Sequence, residues 1–404
     1  MTIKQKYTIL LVLGGLSALG PFSIDMYLPA FKAIAQSLKT DLSHVGFTLT
    51  GYFIGISFGQ LFYGPVTDRF GRKKPLIFGL SLYILTSIGC ALSPTIEWLI
   101  AMRVLLALGG CVGMVVGRAI VRDLFPVSEI AKIFSILMLI VGIAPIIAPT
   151  IGSWVLTVSE WRTIFYIMTS LGMILLFSVL FFLPESQPRE ASHSLSIPTI
   201  ITNYKKVLSD KTFIFYALIG SLAMSGMFAY ISGSPFVFME YFGISQKTYG
   251  LIFGFNAFGY ILGSQVNRVM LNKFSSKKIV IFSAVALCTI GVSGIVLQNT
   301  QLLTVEILVA HLVCFLFCLG HLVPNATALA LTPFTKNAGS ASALIGFIQM
   351  VFGASMSSLV SFLADDSLFP MMICLFICGS GVFMLIGFVQ VKNRKKRSGV
   401  IINK

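Results

Sequence analysis

Charge is scarce in this chain. Asp, Glu, Lys and Arg supply 11% of its 404 residues, where a soluble globular domain carries about 25%. Long polar segments are scarce as well. The largest, PESQPREASHSLSIPTIITNYKKVLSDK at 184–211, is shorter than a typical domain of about 50 residues or more. No HExxH helix, GxSxG elbow, paired-carboxylate arrangement or nucleotide-binding glycine loop occurs, so the chemistries those patterns carry are not expected. A receptor or enzyme domain has no room outside the apolar regions, and no loop resembles a channel's selectivity filter. The reading is of a protein that is not an enzyme and takes no cofactor.

Apolar sequence fills the space instead: 56% of residues are hydrophobic and the mean hydropathy is +0.92. Runs of about 20 apolar residues, each long enough to cross the hydrocarbon core, recur along the chain. The short alternating segments of a transmembrane β-barrel are absent. Twelve helical spans are expected, at 8–31, 42–65, 75–93, 97–118, 130–156, 161–183, 212–236, 246–270, 278–297, 302–330, 336–364 and 369–390. The fold class is therefore all-α polytopic membrane protein. Lys4 and Lys6 precede the first run, but it is too long for a signal peptide and no small-residue cleavage site follows, so it reads as a retained helix.

A formal net charge of +15 could mark a nucleic-acid binder. However, most Lys and Arg residues fall in alternate loops and the tails, including Arg69, Arg72, Lys73, Lys74, Lys205, Lys206, Lys277, Lys278 and the run from Lys392 to Arg397. That is the positive-inside pattern, and it predicts both termini in the cytoplasm. The excess reads as topology with contact to anionic lipid, and no nucleic-acid partner is expected.

All seven cysteines fall within predicted spans, and no disulfide is implied. In HLVCFLFCLGH, His311, Cys314, Cys318 and His321 follow at helical spacing. The ends of such a stretch lie about 15 Å apart, whereas zinc bonds are about 2.0–2.3 Å long. The four cannot share one ion, so no metal site is expected.

The 184–211 stretch divides the spans six and six. The expected organisation is a six-helix bundle at 1–183, a cytoplasmic linker at 184–211, and a second bundle with a basic tail at 212–404, the layout in which two bundles rock about a midplane site. The halves echo each other: GPVTDR (64–69) against GSQVNR (263–268), and SIDMYLP (23–29) against YISGSP (230–235) with prolines matched. In that alignment Ile231 stands where the first half has Asp25. Gly51, Gly55 and Gly59, and again Gly109, Gly113 and Gly117, form small-residue stripes that let helices approach closely in lipid.

Three stretches carry mechanism. GPVTDRFGRKKP (64–75) turns sharply at Gly and Pro, sets an acid at a helix end and follows it with a basic cluster. It suits a conformational latch of Gly64, Asp68, Arg69, Gly71 and Arg72. Asp25 and Arg103 each lie about two turns inside their spans at similar depth, and each is costly in a bilayer. Either they face one another around a water-filled cavity, or each is satisfied separately by backbone carbonyls and hydroxyls such as those of Ser23 and Tyr27. VGIAPIIAPTIG (141–152) places Gly142, Pro145, Pro149 and Gly152 in one span, a composition that frees carbonyls and shapes a gating helix. In the second half, Asn256, Gln265 and Gln349 are candidate substrate contacts, with Tyr27 and His311 as further cavity candidates. His311 and His321, with Glu306 on the same span, are read either as hydrogen-bonded structural groups or as a proton path.

These stretches resemble motifs A, B and C of the major facilitator superfamily. With LSALGPFSIDMYLPAF, GRAIVRDLF, LVPNATALAL and GSASALIGFIQ, they resemble its bicyclomycin-resistance (Bcr/CflA) type of drug/proton antiporter over nearly the whole chain. The resemblance implies the major facilitator fold and proton-driven export of small amphipathic or apolar compounds, such as bicyclomycin-, sulfonamide- or phenicol-like drugs, from a bacterial inner membrane by a monomer. It also implies that Asp25 carries the proton, Arg103 regulates it and Asp68 latches. Two positions depart from the pattern. Leu106 stands where a Gln usually follows the motif B Arg, and Ala144 and Ala148 stand where Gly usually precedes the motif C prolines. A proton-coupled transporter of an endogenous metabolite is the alternative reading, and a membrane-embedded receptor or enzyme a distant one.

Overall fold

The computed structural model describes residues 3–186, 197–300, 303–334, 338–365 and 367–402. Every regular element among them is helical: α1 (Ile3–Asp25), α2 (Phe31–Ser37), α3 (Leu42–Phe70), α4 (Lys73–Ala91), α5 (Ile96–Leu124), α6 (Val127–Val158), α7 (Arg162–Phe182), α8 (Ile197–Leu208), α9 (Lys211–Pro235), α10 (Gln246–Met270), α11 (Ser276–Asn299), α12 (Val305–Leu331), α13 (Ala338–Phe362) and α14 (Phe369–Ile402). Apart from the short α2 and α8, each has at least 19 residues, or about 28 Å at 1.5 Å per residue. Eleven spans among the described residues are apolar enough to cross a membrane. The helix that falls short is α10, which carries Gln246, Lys247, Asn256, Gln265, Asn267 and Arg268. It packs between α6 and α12, with Asn256 and Asn267 buried, so part of its polarity is covered by protein.

The packing repeats across the chain. Among the first seven helices, α3 packs on α5, α4 on α5 and α7, and α1 on α5, α6 and α7. Among the last six, α10 packs on α12, α11 on α12 and α14, and α9 on α12, α13 and α14. Matching α1 to α9, α3 to α10 and so onward, each of these contacts has its counterpart. The two sets meet along α3–α13 and α6–α10, which exchange under the same matching. The faint sequence echo thus corresponds to a two-fold repeat of packing. The glycine stripes serve it: Gly55 faces the Val104 carbonyl, and Gly113 that of Leu16.

Two expectations give way. The first span does not run as one helix over 8–31, because α1 stops at Asp25 and the chain turns through a 3-10 segment, Leu28–Ala30, into α2. Pro29 is the cause. It has no N–H to give the carbonyl four residues back, which is that of Asp25, and its ring would clash there. Gly152 makes the turn packable, since a Cβ at that position would run into the Met26 carbonyl oxygen. The polar stretch 184–211 is not only a loop, because it holds α8, whose Val207 is buried against Phe213, Ala217 and Ala341.

Candidate functional site

The break in α1 builds the site. A helix leaves its last four carbonyls without helical partners. Here Met26 N–H takes that of Phe22 at 3.1 Å, and Arg103 Nη1 donates to that of Ser23 at 2.7 Å. Arg103 is fully buried, held between two rings, its guanidinium carbon 4.5 Å from the Tyr27 centroid and 4.4 Å from that of Tyr52. A desolvated cation over an aromatic face gains about 2 kcal/mol, which offsets part of the cost of burying the charge. Tyr27 is fixed in turn by a hydroxyl contact to Thr48, and the Ser23 hydroxyl bonds Tyr83 at 2.8 Å and donates to Leu19 O at 2.7 Å. Arg103 Nε and Nη2 meet no hydrogen-bond partner among the described residues.

Asp25 is buried beside this cage but does not join it. Among the described residues no hydrogen bond or ion pair reaches its carboxylate, and the Asp25–Arg103 pair, one of the two arrangements expected, is not formed. Arg103 takes the other arrangement, a backbone carbonyl. The Asp25 carboxylate instead lies within electrostatic reach of the hydroxyls of Tyr52, Tyr230 and Tyr249, the last two contributed by the second set of helices. Tyr230 stacks on Phe253 at 5.3 Å and accepts from Asn256 Nδ2 at 3.1 Å, and Tyr249 bonds Ser234 at 3.0 Å. Asp25 thus belongs to the seam between the two sets, with Asn256 one residue removed through Tyr230.

Other predicted residues fall elsewhere. Tyr27 is wholly buried against Arg103. His311 packs beside Gly294 of α11, near Met372 of α14. Glu306 is exposed at the first turn of α12. Gln349 is half-buried on α13, a helix that packs on α3 and α9. Gly142 sits beside Ile261 of α10, Pro145 and Pro149 lie inside α6, which runs unbroken, and the Ser153 hydroxyl bonds the carbonyls of Pro149 and, across the seam, Gln246.

At the opposite end, the predicted latch folds back on its own set of helices. Gly71 closes α3 with φ +80°, a conformation open to glycine, and a side chain there would meet the Glu185 carboxylate. That carboxylate accepts from Arg72 N at 2.7 Å and Lys73 N at 3.1 Å, satisfying free N–H groups at the start of α4. Arg72 Nε donates to Asp123 Oδ2 at 2.9 Å and Nη1 to Thr67 at 3.1 Å. Gly64 has open space around it, and Arg69 stacks over Phe70 at 5.4 Å. The Asp68 side chain lies outside the described ones. Sequence reasoning missed Glu185, Asp123, Tyr52 and Tyr230. The first two carried a readable signal as acids flanking spans, and the tyrosines carried none.

The profile described as Major Facilitator Superfamily matches residues 13–358. An uncharacterized MFS-type transporter, YdgK, of Bacillus subtilis is 35% identical over 93% of this chain and 94% of its own. A bicyclomycin resistance protein homolog of Haemophilus influenzae is 30% identical over 98% and 99%, and the multidrug resistance protein MdtL of Escherichia coli 30% over 91% of each. Among solved structures, a D-xylose–proton symporter superposes with TM-score 0.72 at 16% identity, covering 94% of this chain and 95% of its own. A nucleoside transporter superposes with 0.73 at 15%, covering 93% and 98%. Those two share the fold. The chain is a multi-pass membrane transporter, not an enzyme, and it belongs to the major facilitator superfamily, with bicyclomycin-resistance-type relatives along its whole length.

Proposed function

We propose that this transporter exports small amphipathic or apolar compounds in exchange for protons by alternating access, as a monomer in a bacterial inner membrane with both termini cytoplasmic. The observation that carries the reading is Asp25: a buried carboxylate at a helix break, on the seam between two sets of helices, with no bonded partner among the described residues. A charge at membrane depth costs about 2.5–3.5 kcal/mol on insertion scales, and protonation removes the charge. Taking or losing a proton therefore changes what it costs to close the seam over Asp25, which couples proton to conformation. Arg103, held two residues away on the Ser23 carbonyl, keeps a fixed positive charge nearby and regulates that exchange. The loop of Gly64, Asp68, Arg69, Gly71 and Arg72 acts as the latch, and α6 with Gly142, Pro145, Pro149 and Gly152 as the gating helix. The names of the bicyclomycin-resistance and MdtL relatives support drugs as cargo, and Asn256 and Gln349 are the polar contacts offered to them.

The test uses inverted vesicles. Asp25→Asn is expected to insert and bind drug yet lose accumulation driven by a pH gradient. Undiminished accumulation by that variant would remove the proton role from Asp25. Dissipation of the gradient on adding substrate to wild-type vesicles supports exchange, and a gradient that builds overturns it in favour of symport.

A further inference from the structure

The segment joining the two sets of helices holds α8, which the transport cycle proposed above does not use. α9 begins at Lys211, directly after Ser209 and Asp210, so α8 lies at the membrane boundary on the side that carries the termini. It has three faces. Val207 is fully buried against α9 and α13, with Tyr204 partly buried beside it. Ile201 and Leu208, seven residues apart and so on one stripe, are 46% and 42% exposed. Lys205 is exposed next to that stripe and Lys206 is exposed roughly 140° around the helix from Ile201. An apolar stripe bordered by a lysine, with a second lysine on the polar face, is the pattern of a helix lying in a bilayer interface, and its charge complements anionic headgroups.

Tyr204 reaches further. Its hydroxyl donates to the Leu61 carbonyl at 3.4 Å, and Leu61 belongs to α3, in the first set of helices. That carbonyl is available because the residue four positions on is Pro65, which has no N–H to give it. The Gly64-Pro65 of the latch motif therefore supplies the acceptor for a tyrosine on the linker. α8 is packed on the second set and meets the first through this hydrogen bond and through the Leu61 side chain, which packs against the same cluster as Val207.

We propose that α8 is a docking helix for anionic phospholipid headgroups, held by Lys205 and Lys206 with Ile201 and Leu208 in the acyl boundary, and that the Tyr204–Leu61 bond passes its occupancy to the relative position of the two sets of helices. A bound anionic surface favours the arrangement in which that bond is made.

The full-length protein, reconstituted in nanodiscs of phosphatidylcholine with or without phosphatidylglycerol, tests this by hydrogen exchange across 201–208 and by drug transport in matched liposomes. In the wild type, phosphatidylglycerol slows exchange at α8, and added salt reverses the effect. Lys205→Gln with Lys206→Gln weakens the phosphatidylglycerol dependence by roughly thirtyfold, at about 1 kcal/mol per lysine, with transport in pure phosphatidylcholine unchanged. Tyr204→Phe keeps the protection of α8 but loses the phosphatidylglycerol dependence of transport. Equal exchange in the two bilayers, or full protection in the double variant, overturns lipid docking. Two protein copies per nanodisc, with protection at α8 independent of lipid, would assign the face to a second chain instead. Lipid-dependent transport retained in Tyr204→Phe overturns the coupling through Leu61. The proton role of Asp25 is read separately, since every arm is measured at the same pH gradient.

Discussion

The ends of α1 and α9 show how one sequence scheme yields two different pieces of machinery. The aligned prolines, Pro29 and Pro235, each deprive the carbonyl four residues back of its helical donor. In α1 that carbonyl is Asp25's, Leu28 precedes the proline with nothing to offer, and the helix ends. In α9 it is Ile231's, and the Ser234 hydroxyl donates to it at 3.4 Å. The helix runs through Pro235 and continues as a π-helical turn, Phe236–Tyr241, a local register change of the kind that absorbs a misfit. The first half thus gains a free helix end, used by Arg103 through the Ser23 carbonyl, and a buried acid. The second half gains a continuous strut whose Tyr230 stacks on Phe253 and holds Asn256.

The comparison can be broken most drastically by moving the acid. Asp25→Asn combined with Ile231→Asp keeps one carboxylate in the seam, yet it places that carboxylate on a continuous helix. Gradient-driven efflux is expected to stay absent while membrane-integrated yield stays near that of the wild type, because the number of carboxylates at membrane depth, and with it their insertion cost, is unchanged. Restored efflux would mean that either half can host the acid. Next comes the break itself. Pro29→Ala lets α1 extend and competes with Arg103 for the Ser23 carbonyl, so turnover should fall by about tenfold, equivalent to about 1.4 kcal/mol in the barrier, whereas Pro235→Ala should leave it near wild type. Equal losses at the two prolines would deny the break any special part.

Tyr52→Leu removes one of the two rings holding Arg103 and should lower thermal stability in detergent by about 2 kcal/mol, with the Ser23 contact left to orient the guanidinium. The smallest effect belongs to Ser234→Ala, which deletes the substitute donor in α9 and should cost about 1 kcal/mol. Combining it with Pro235→Ala should recover that loss, because Ile231 then regains a backbone partner, and a double-variant melt checks this.

Which residues matter could be read from the sequence, since each violates the rule for its surroundings. Asp25 and Arg103 are charges inside apolar runs, and Gly71 and Pro65 punctuate a helix end. How they are arranged could not. Depth along a span follows from residue count at about 1.5 Å each, which placed Asp25 and Arg103 at one level, but it does not say which way either side chain turns. The Ser23 carbonyl, left open where α1 ends, outcompeted the carboxylate for Arg103, and the competition is set by a helix break that hydropathy does not register. α8 was hidden because twelve residues among Pro and Ser leave a weak periodic signal, although Tyr204 and Val207, three apart, with Ile201 and Leu208, seven apart, were there to be found.

The sequence by itself determined the apolar helices, the basic bias of the loops and the presence of a costly acid, because each of these rests on transfer free energy and residue spacing within one segment. Only the tertiary structure decided that Arg103 sits between Tyr27 and Tyr52, that its guanidinium takes the Ser23 carbonyl, that Arg72 pairs with Asp123, and that Pro65 serves a tyrosine more than a hundred residues away. Those contacts join segments distant in the chain. Their partners are chosen by how helices rotate and pack, which no single segment encodes.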